Sequence, residues 1–176
     1  MYPFVRMALA MAKYRKAPPL PVTGTHVSQH ICWPWDLDLW VELNNGRTLT
    51  LYDLGRIPLA MRTGLIGPLR AHRWGITVAG SSVRYRRRVR MFERFEMRSR
   101  CLGWDAKFLY MDQSMWRNGE CTSQVLIRSA FTGADGIVAP AAVLAAMGSN
   151  EQSPPLPDWV QAWIAADAGR PWPPQF

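Results

Sequence analysis

Phe4, Met7, Ala8, Met11 and Tyr14 recur at helical spacing, with Arg6, Lys13 and Arg15 off that stripe, and they predict an amphipathic helix over residues 2–16. A Pro-rich connector, Ala17–Thr25, follows it. From His26 to Trp33 the period falls to two. Val27 and Ile31, with Trp33, share one side, and His26, Ser28 and His30 share the other, which predicts a strand. Pro34–Asn45 reads as a loop rich in acids and tryptophans, ended by Asn44 or Asn45 as a helix N-cap. The next stretch, Gly46–Met61, is apolar nearly all round (Leu49, Leu51, Tyr52, Leu54, Ile57, Leu59, Ala60). A helix of that kind is wrapped by other structure. Pro58 should end or kink it, because proline lacks the N–H that continues the ladder.

Beyond residue 75 the texture is that of a sheet. Strand patterns fill Gly75–Val89, Glu93–Leu102, Lys107–Trp116 and Cys121–Thr132. They break at Met91-Phe92, at Gly103-Trp104-Asp105 and at Asn118-Gly119, the last a strong hairpin signal. Pro140–Met147 and Pro157–Ala168 read as short helices stopped by Gly148 and Gly169. Residues 149–157 and 170–176 are Pro-rich and irregular. Four consecutive antiparallel strands after one buried helix make an α+β fold. The expected organisation is one domain over 1–176: a helix within 1–16, a core over 24–132, and a helical, Pro-rich extension over 133–176.

Composition narrows the classes. The chain has 176 residues, 48% hydrophobic and 19% charged, which fits neither a disordered chain nor a membrane bundle. No apolar run approaches the ~18 residues of a spanning helix. The patch Met7–Met11 is short and is followed by Lys13, Arg15 and Lys16 without a small-residue cleavage pattern, so it does not read as a signal peptide. Cys32, Cys101 and Cys121 are odd in number and lack metal spacing, so a reduced cytoplasmic compartment and no metal site are expected. The net charge of +8 calls for an anionic partner or a solvated basic surface. Nucleic acid, an anionic membrane and a phosphorylated cofactor all meet that condition.

The most informative segment is Trp35-Asp36-Leu37-Asp38-Leu39-Trp40-Val41-Glu42-Leu43-Asn44-Asn45-Gly46-Arg47. Its acidic loop, Asn-Asn helix start and buried helix resemble the signature of the hot-dog acyl-CoA thioesterases of the 4-hydroxybenzoyl-CoA thioesterase type. More narrowly they resemble the thioesterase-superfamily-member-6-like branch. Gly80-Ser81-Ser82-Val83-Arg84-Tyr85-Arg86-Arg87 and Leu102-Gly103-Trp104-Asp105 continue the likeness, which runs from about Tyr2 to Phe131. The resemblance implies a hot-dog fold: a central helix wrapped by a curved antiparallel sheet, with helical extensions at both ends. It implies a homodimer, or a dimer of dimers, with joined sheets and active sites at the subunit interface. It places the catalytic carboxylate on Asp38 and the N–H that polarises the thioester carbonyl at Asn45. Many relatives carry His where this chain has Glu42. Glu42 is therefore either a solvated or capping side chain or a second active-site carboxylate.

The chemistry is consistent with that assignment. Thioester hydrolysis needs a base or nucleophile and a donor for the developing oxyanion. It has little need of an acid, because a thiolate leaves readily. A carboxylate facing a helix N-terminus can supply both needs. Asp38 could attack directly or activate water, and the sequence leaves both open. No cofactor is implied beyond the coenzyme A of the substrate.

Arg84, Arg86, Arg88 and Arg90 would share one face of a strand. They read either as a solvated basic face or as a clamp for the phosphates of CoA, which the planar guanidinium suits. Trp40, with Trp33 and Trp35, could line an acyl pocket or simply pack. A nucleic-acid partner is not expected, since no RNA-module signature accompanies the stripe. The basic N-terminal helix is expected to pack on its own domain in preference to a membrane surface. The rival functions are a hot-dog protein that binds acyl-CoA or acyl-carrier protein without hydrolysis, a hydratase or dehydratase, and a basic membrane- or nucleic-acid-associated protein.

Overall fold

The computed structural model describes residues 2–175. The helical stripe forms α1 (Phe4–Tyr14), and β1 is His26–Ile31. A single 3-10 turn, Pro34–Asp36, leads to the central helix α2 (Asn45–Arg62). Then come α3 (Ile66–Ala71), β2 (Gly75–Tyr85), β3 (Arg94–Trp104), β4 (Leu109–Arg117), β5 (Glu120–Gly133), β6 (Gly136–Val138), α4 (Pro140–Ala146) and α5 (Asp158–Ala168). The sheet is antiparallel in the order β1-β3-β4-β5-β2, with β6 added to β5. Asn118 (φ 51) and Gly119 (φ 80) join β4 to β5, both central residues having the positive φ that a tight hairpin turn requires.

The curled sheet wraps α2. Leu51, Tyr52, Leu54 and Leu59 are buried, and past Gly46 no residue of the helix is fully exposed. Helix and sheet approach closely at Gly55, where an added Cβ would lie 2.5 Å from Ser99 Oγ and 2.6 Å from Met97 Sδ. Helix α2 continues past Pro58 to Arg62, so the proline does not end it. The proline forfeits one helical hydrogen bond, but Leu54, Pro58 and Leu59 are all buried, and that packing holds the helix together.

Helix α5 lies on the other side of the sheet, where Val160 packs with Tyr110 and Leu126. Arg128 is clamped there, ion-paired to Asp167 at 2.6 Å and flanked by the rings of Phe108 and Trp163. β2 is an edge strand with Ile76 and Val78 exposed.

The structure settles which face of β1 is buried, and one further expectation changes. On β1 the polar face goes inward: His26 and Ser28 are buried while Val27 is exposed, because α1 covers the polar side and Tyr14 meets the His26 ring edge-on at 4.5 Å. The arginine strand also ends sooner than its pattern suggests. β2 stops at Tyr85, and the N–H groups of Arg86 and Arg87 both donate to the Thr122 carbonyl, at 2.8 and 3.1 Å. The chain turns out of the ladder there, so Arg84, Arg86, Arg88 and Arg90 do not form one strand face.

Candidate functional site at the start of the central helix

The loop before α2 is a small hairpin of its own. Leu37 bridges Leu43, the Asp38 N–H donates to the Glu42 carbonyl at 2.8 Å, and the Val41 N–H donates to the Asp38 carbonyl at 3.1 Å. Asp38 Oδ1 accepts from the N–H of Trp40 at 2.9 Å and, more weakly, from that of Glu42 at 3.4 Å. This is the local bonding that makes aspartate a turn former. Val41 sits at φ 59, a costly conformation for a β-branched side chain. Leu39 and Trp40 project from the tip into solvent.

Asp36 fixes the base of this hairpin. Its carboxylate is buried and accepts from Arg6 Nη1 and Arg47 Nε, each at 2.6 Å, and from the Trp33 N–H at 3.1 Å. The Asn44 N–H donates to the Asp36 carbonyl at 2.9 Å. Asp36 thereby joins α1, the loop and the first turn of α2.

Asn44 is the N-cap, with Oδ1 accepting from the Arg47 N–H at 2.9 Å. Among the described residues no hydrogen bond takes the N–H of Asn45 or Gly46, the first two donors of α2. The Tyr85 hydroxyl donates to the Asn45 carbonyl at 2.9 Å and ties the end of β2 to this turn. Glu42 and Leu43 lie along the 89–90 segment, with the Leu43 N–H donating to the Val89 carbonyl at 2.8 Å.

These elements enclose a cavity of about 170 Å³ lined by Glu42, Asn45, Thr48, Tyr85, Arg86 and Arg88, among others. Arg88 Nε lies 2.7 Å from Glu42 Oε2. Of the residues singled out from the sequence, Asn45, Glu42, Arg86 and Arg88 meet here. Asp38 does not line the cavity; it holds the turn behind Glu42. Trp40 is outside at the turn tip, which removes it from the cavity wall. Arg84, on β2, and Arg90, whose N–H donates to Glu93 Oε2 at 2.7 Å, are not among the lining residues either. The role of Tyr85 and the Arg6 partner of Asp36 were not foreseen; these contacts span 40 and 30 residues, so no local pattern announces them. Among the described residues no group of His, Cys, Asp and Glu could hold a metal ion.

A second cavity, about 260 Å³, lies farther along α2 and is bounded by α3, α4 and the sheet. Ile57, Leu69, Met111, Phe131 and Leu144 make it apolar, and Ile76–Val78 of the open edge strand form one wall.

Comparison with known proteins identifies the group. A protein from Xenopus laevis named Protein THEM6 is 36% identical over 111 residues, covering 62% of this chain and 54% of that one, so the chain spans about half the length of that relative. A probable thioesterase from Escherichia coli superposes with a TM-score of 0.64 at 16% identity, over 69% of this chain and 96% of that one. A hypothetical protein from Staphylococcus aureus, solved in complex with CoA, gives a TM-score of 0.63 at 10% identity, over 79% and 93%. These superpositions show an α+β hot-dog fold. The model of the thioesterase-like superfamily matches residues 32–164, from the end of β1 into α5, and the chain belongs to that superfamily.

Proposed function

We propose that the chain hydrolyses acyl-CoA thioesters at the start of α2. The observation that carries this reading is a helix N-terminus whose first two N–H groups have no partner among the described residues, beside a cavity that also holds a carboxylate and arginines. The Asn45 N–H would polarise the thioester carbonyl, and the helix dipole would stabilise the oxyanion. Asp38 would act as base or nucleophile through Oδ2, its other oxygen being held by the turn. Water adds to the carbonyl carbon, the C–S bond breaks, and the CoA thiolate leaves. Arg86 and Arg88 at the cavity wall would face the CoA phosphates.

The apolar cavity would take the acyl chain. It is lined from Asp53 onward, eight residues past Asn45, or about 12 Å along the helix at 1.5 Å per residue. A second copy paired antiparallel along β2 would shorten that path. The Gly75 end of one strand would then lie beside the Tyr85 end of the other, bringing the apolar cavity of one chain to the helix start of its partner. The unpaired edge and its exposed Ile76 and Val78 support such a homodimer.

Glu42 favours a second reading, in which this carboxylate, rather than Asp38, serves the cavity it lines. The cavity lining holds no histidine, which gives a hydratase scheme no support. A turnover screen over acyl-CoAs of graded length and aromatic type, following thiol release, tests the proposal. Thiol release with at least one acyl class is expected. Tight acyl-CoA binding with no release from any of them would make this a binding protein.

A further inference from the structure

Helix α1 is apolar on both faces. Met7 and Ala10 are buried against the domain, as expected for packing on its own fold. On the opposite side Val5 is 75% exposed and Leu9 65%, with Phe4 beside them. The last turn and its exit carry exposed Lys13, Arg15 and Lys16. This apolar face does not stop at the helix. Leu9 and Trp33 line one groove, together with Lys13 and Arg94. Trp33 stacks on Trp35 at 5.3 Å and meets Phe92 edge-on at 6.1 Å, and both Trp35 (66%) and Phe92 are largely exposed.

We propose that this α1–tryptophan face is a docking surface for an anionic phospholipid bilayer. Leu9, Trp33 and the cations Lys13 and Arg94 share one groove, with the rings of Trp35 and Phe92 beside it. That is the composition by which a helix lies in the headgroup region, rings at the interface and lysines toward anionic lipid. The cations identify the occupant. A purely apolar partner gains nothing from Lys13 and Arg94, whereas a negative surface does, and the chain as a whole carries +8. Helix α1 has 11 residues, and among the described residues no helix is long and apolar enough to cross a membrane, so the contact is peripheral. The face lies at the β1 end of the sheet, opposite the β2 edge, and so stays outward when β2 is paired. It does not depend on the reaction proposed at α2.

Co-sedimentation with phosphatidylcholine vesicles, with and without phosphatidylglycerol, is the test. The full chain should sediment with the phosphatidylglycerol-containing vesicles, and less so as salt rises. Val5→Glu/Leu9→Glu should weaken sedimentation about tenfold or more. Lys13→Glu/Lys16→Glu should remove the preference for the anionic vesicles. Trp35→Ser/Phe92→Ser probes the same face without touching α1 and should also weaken binding. Trp159→Glu, on exposed α5, should bind like the unaltered protein. Failure to sediment with anionic vesicles at low salt would overturn the proposal. So would unchanged binding by the α1 and loop variants, or a vesicle-independent oligomer that those variants dissolve, which would make the face a protein contact.

Discussion

Arg6 Nη1 donates to Asp36 Oδ2 at 2.6 Å, and through this bond α1 holds the loop that carries the candidate site. Arg47 Nε meets the other oxygen at the same distance, and the carboxylate itself is fully buried. A buried carboxylate between two largely buried guanidinium groups is weak evidence for net stabilisation, but removing one member leaves uncompensated charge behind. Asp36→Asn is therefore expected to cost about 3–5 kcal/mol, read by urea denaturation. A loss under about 1 kcal/mol would mean that water or rearranged partners satisfy both arginines.

Glu42 lines the cavity, whereas Asp38 holds the turn behind it. If Asp38 Oδ2 does the chemistry, Asp38→Asn keeps a side-chain oxygen for the Trp40 N–H and so keeps the turn. It should still lower kcat by about 10²-fold or more. Glu42→Gln should then cost under about tenfold. The reverse ranking would move the catalytic carboxylate to Glu42, the one that lines the cavity. Equal, large losses would make the two acids a unit.

The four arginines no longer form one group, and their variants should divide accordingly. Arg86→Gln should raise KM for an acyl-CoA several-fold with kcat little changed, the pattern of lost uniform binding. A net hydrogen-bond contribution of about 0.5–1.5 kcal/mol sets that scale. Arg84→Gln and Arg90→Gln should leave KM alone, since neither side chain lines the cavity. An acyl-pantetheine lacks the nucleotide phosphates, so its KM should ignore Arg86→Gln. If Arg86→Gln behaves like the other two with acyl-CoA, the phosphates are held elsewhere.

The elements were legible because each carries its own periodicity: the all-round apolar α2, the Asn118-Gly119 turn and the four strand runs that follow. What failed was set by distant partners. Arg84-Tyr85-Arg86 alternates as a strand should, but Thr122 of the neighbouring strand captures two successive N–H groups and ends the ladder. The alternation on β1 did not say which side turns inward. The polar face is the buried one, because α1 and Arg62 supply polar and aromatic neighbours for His26. The site was half legible. Asn44-Asn45 announced the helix start, whereas the places of Glu42 at the cavity and Asp38 in the turn depend on how a seven-residue hairpin folds back. Helix α3 and strand β6 are too short to show a period.

The buried face of β1 has a consequence for pH. His26 Nδ1 lies 3.1 Å from Arg62 Nη1, which can only donate, so the ring is neutral and carries its proton on Nε2. Burial first, then the charges of Arg62 and Lys13, lower its pKa from 6.5 to about 4. His30, whose Nε2 lies 2.8 Å from Ser28 Oγ, is likewise lowered to about 4 by burial and by Arg6, Lys13 and His26. Depressed values mean that the unfolded chain binds these protons more readily than the folded one. The stability tied to neutral His26 and His30 is therefore complete above about pH 6.5, falls as pH drops, and levels off below about pH 4. In that window unfolding should take up close to two protons from this pair. His26→Gln/His30→Gln removes both titrating groups, and the amide oxygen introduced at position 26 could still accept from Arg62. The stability of this variant at neutral pH should fall, while its slope between pH 6.5 and pH 4 should be shallower than that of the unaltered protein by nearly two protons. An unchanged slope would release the two histidines from the acid sensitivity.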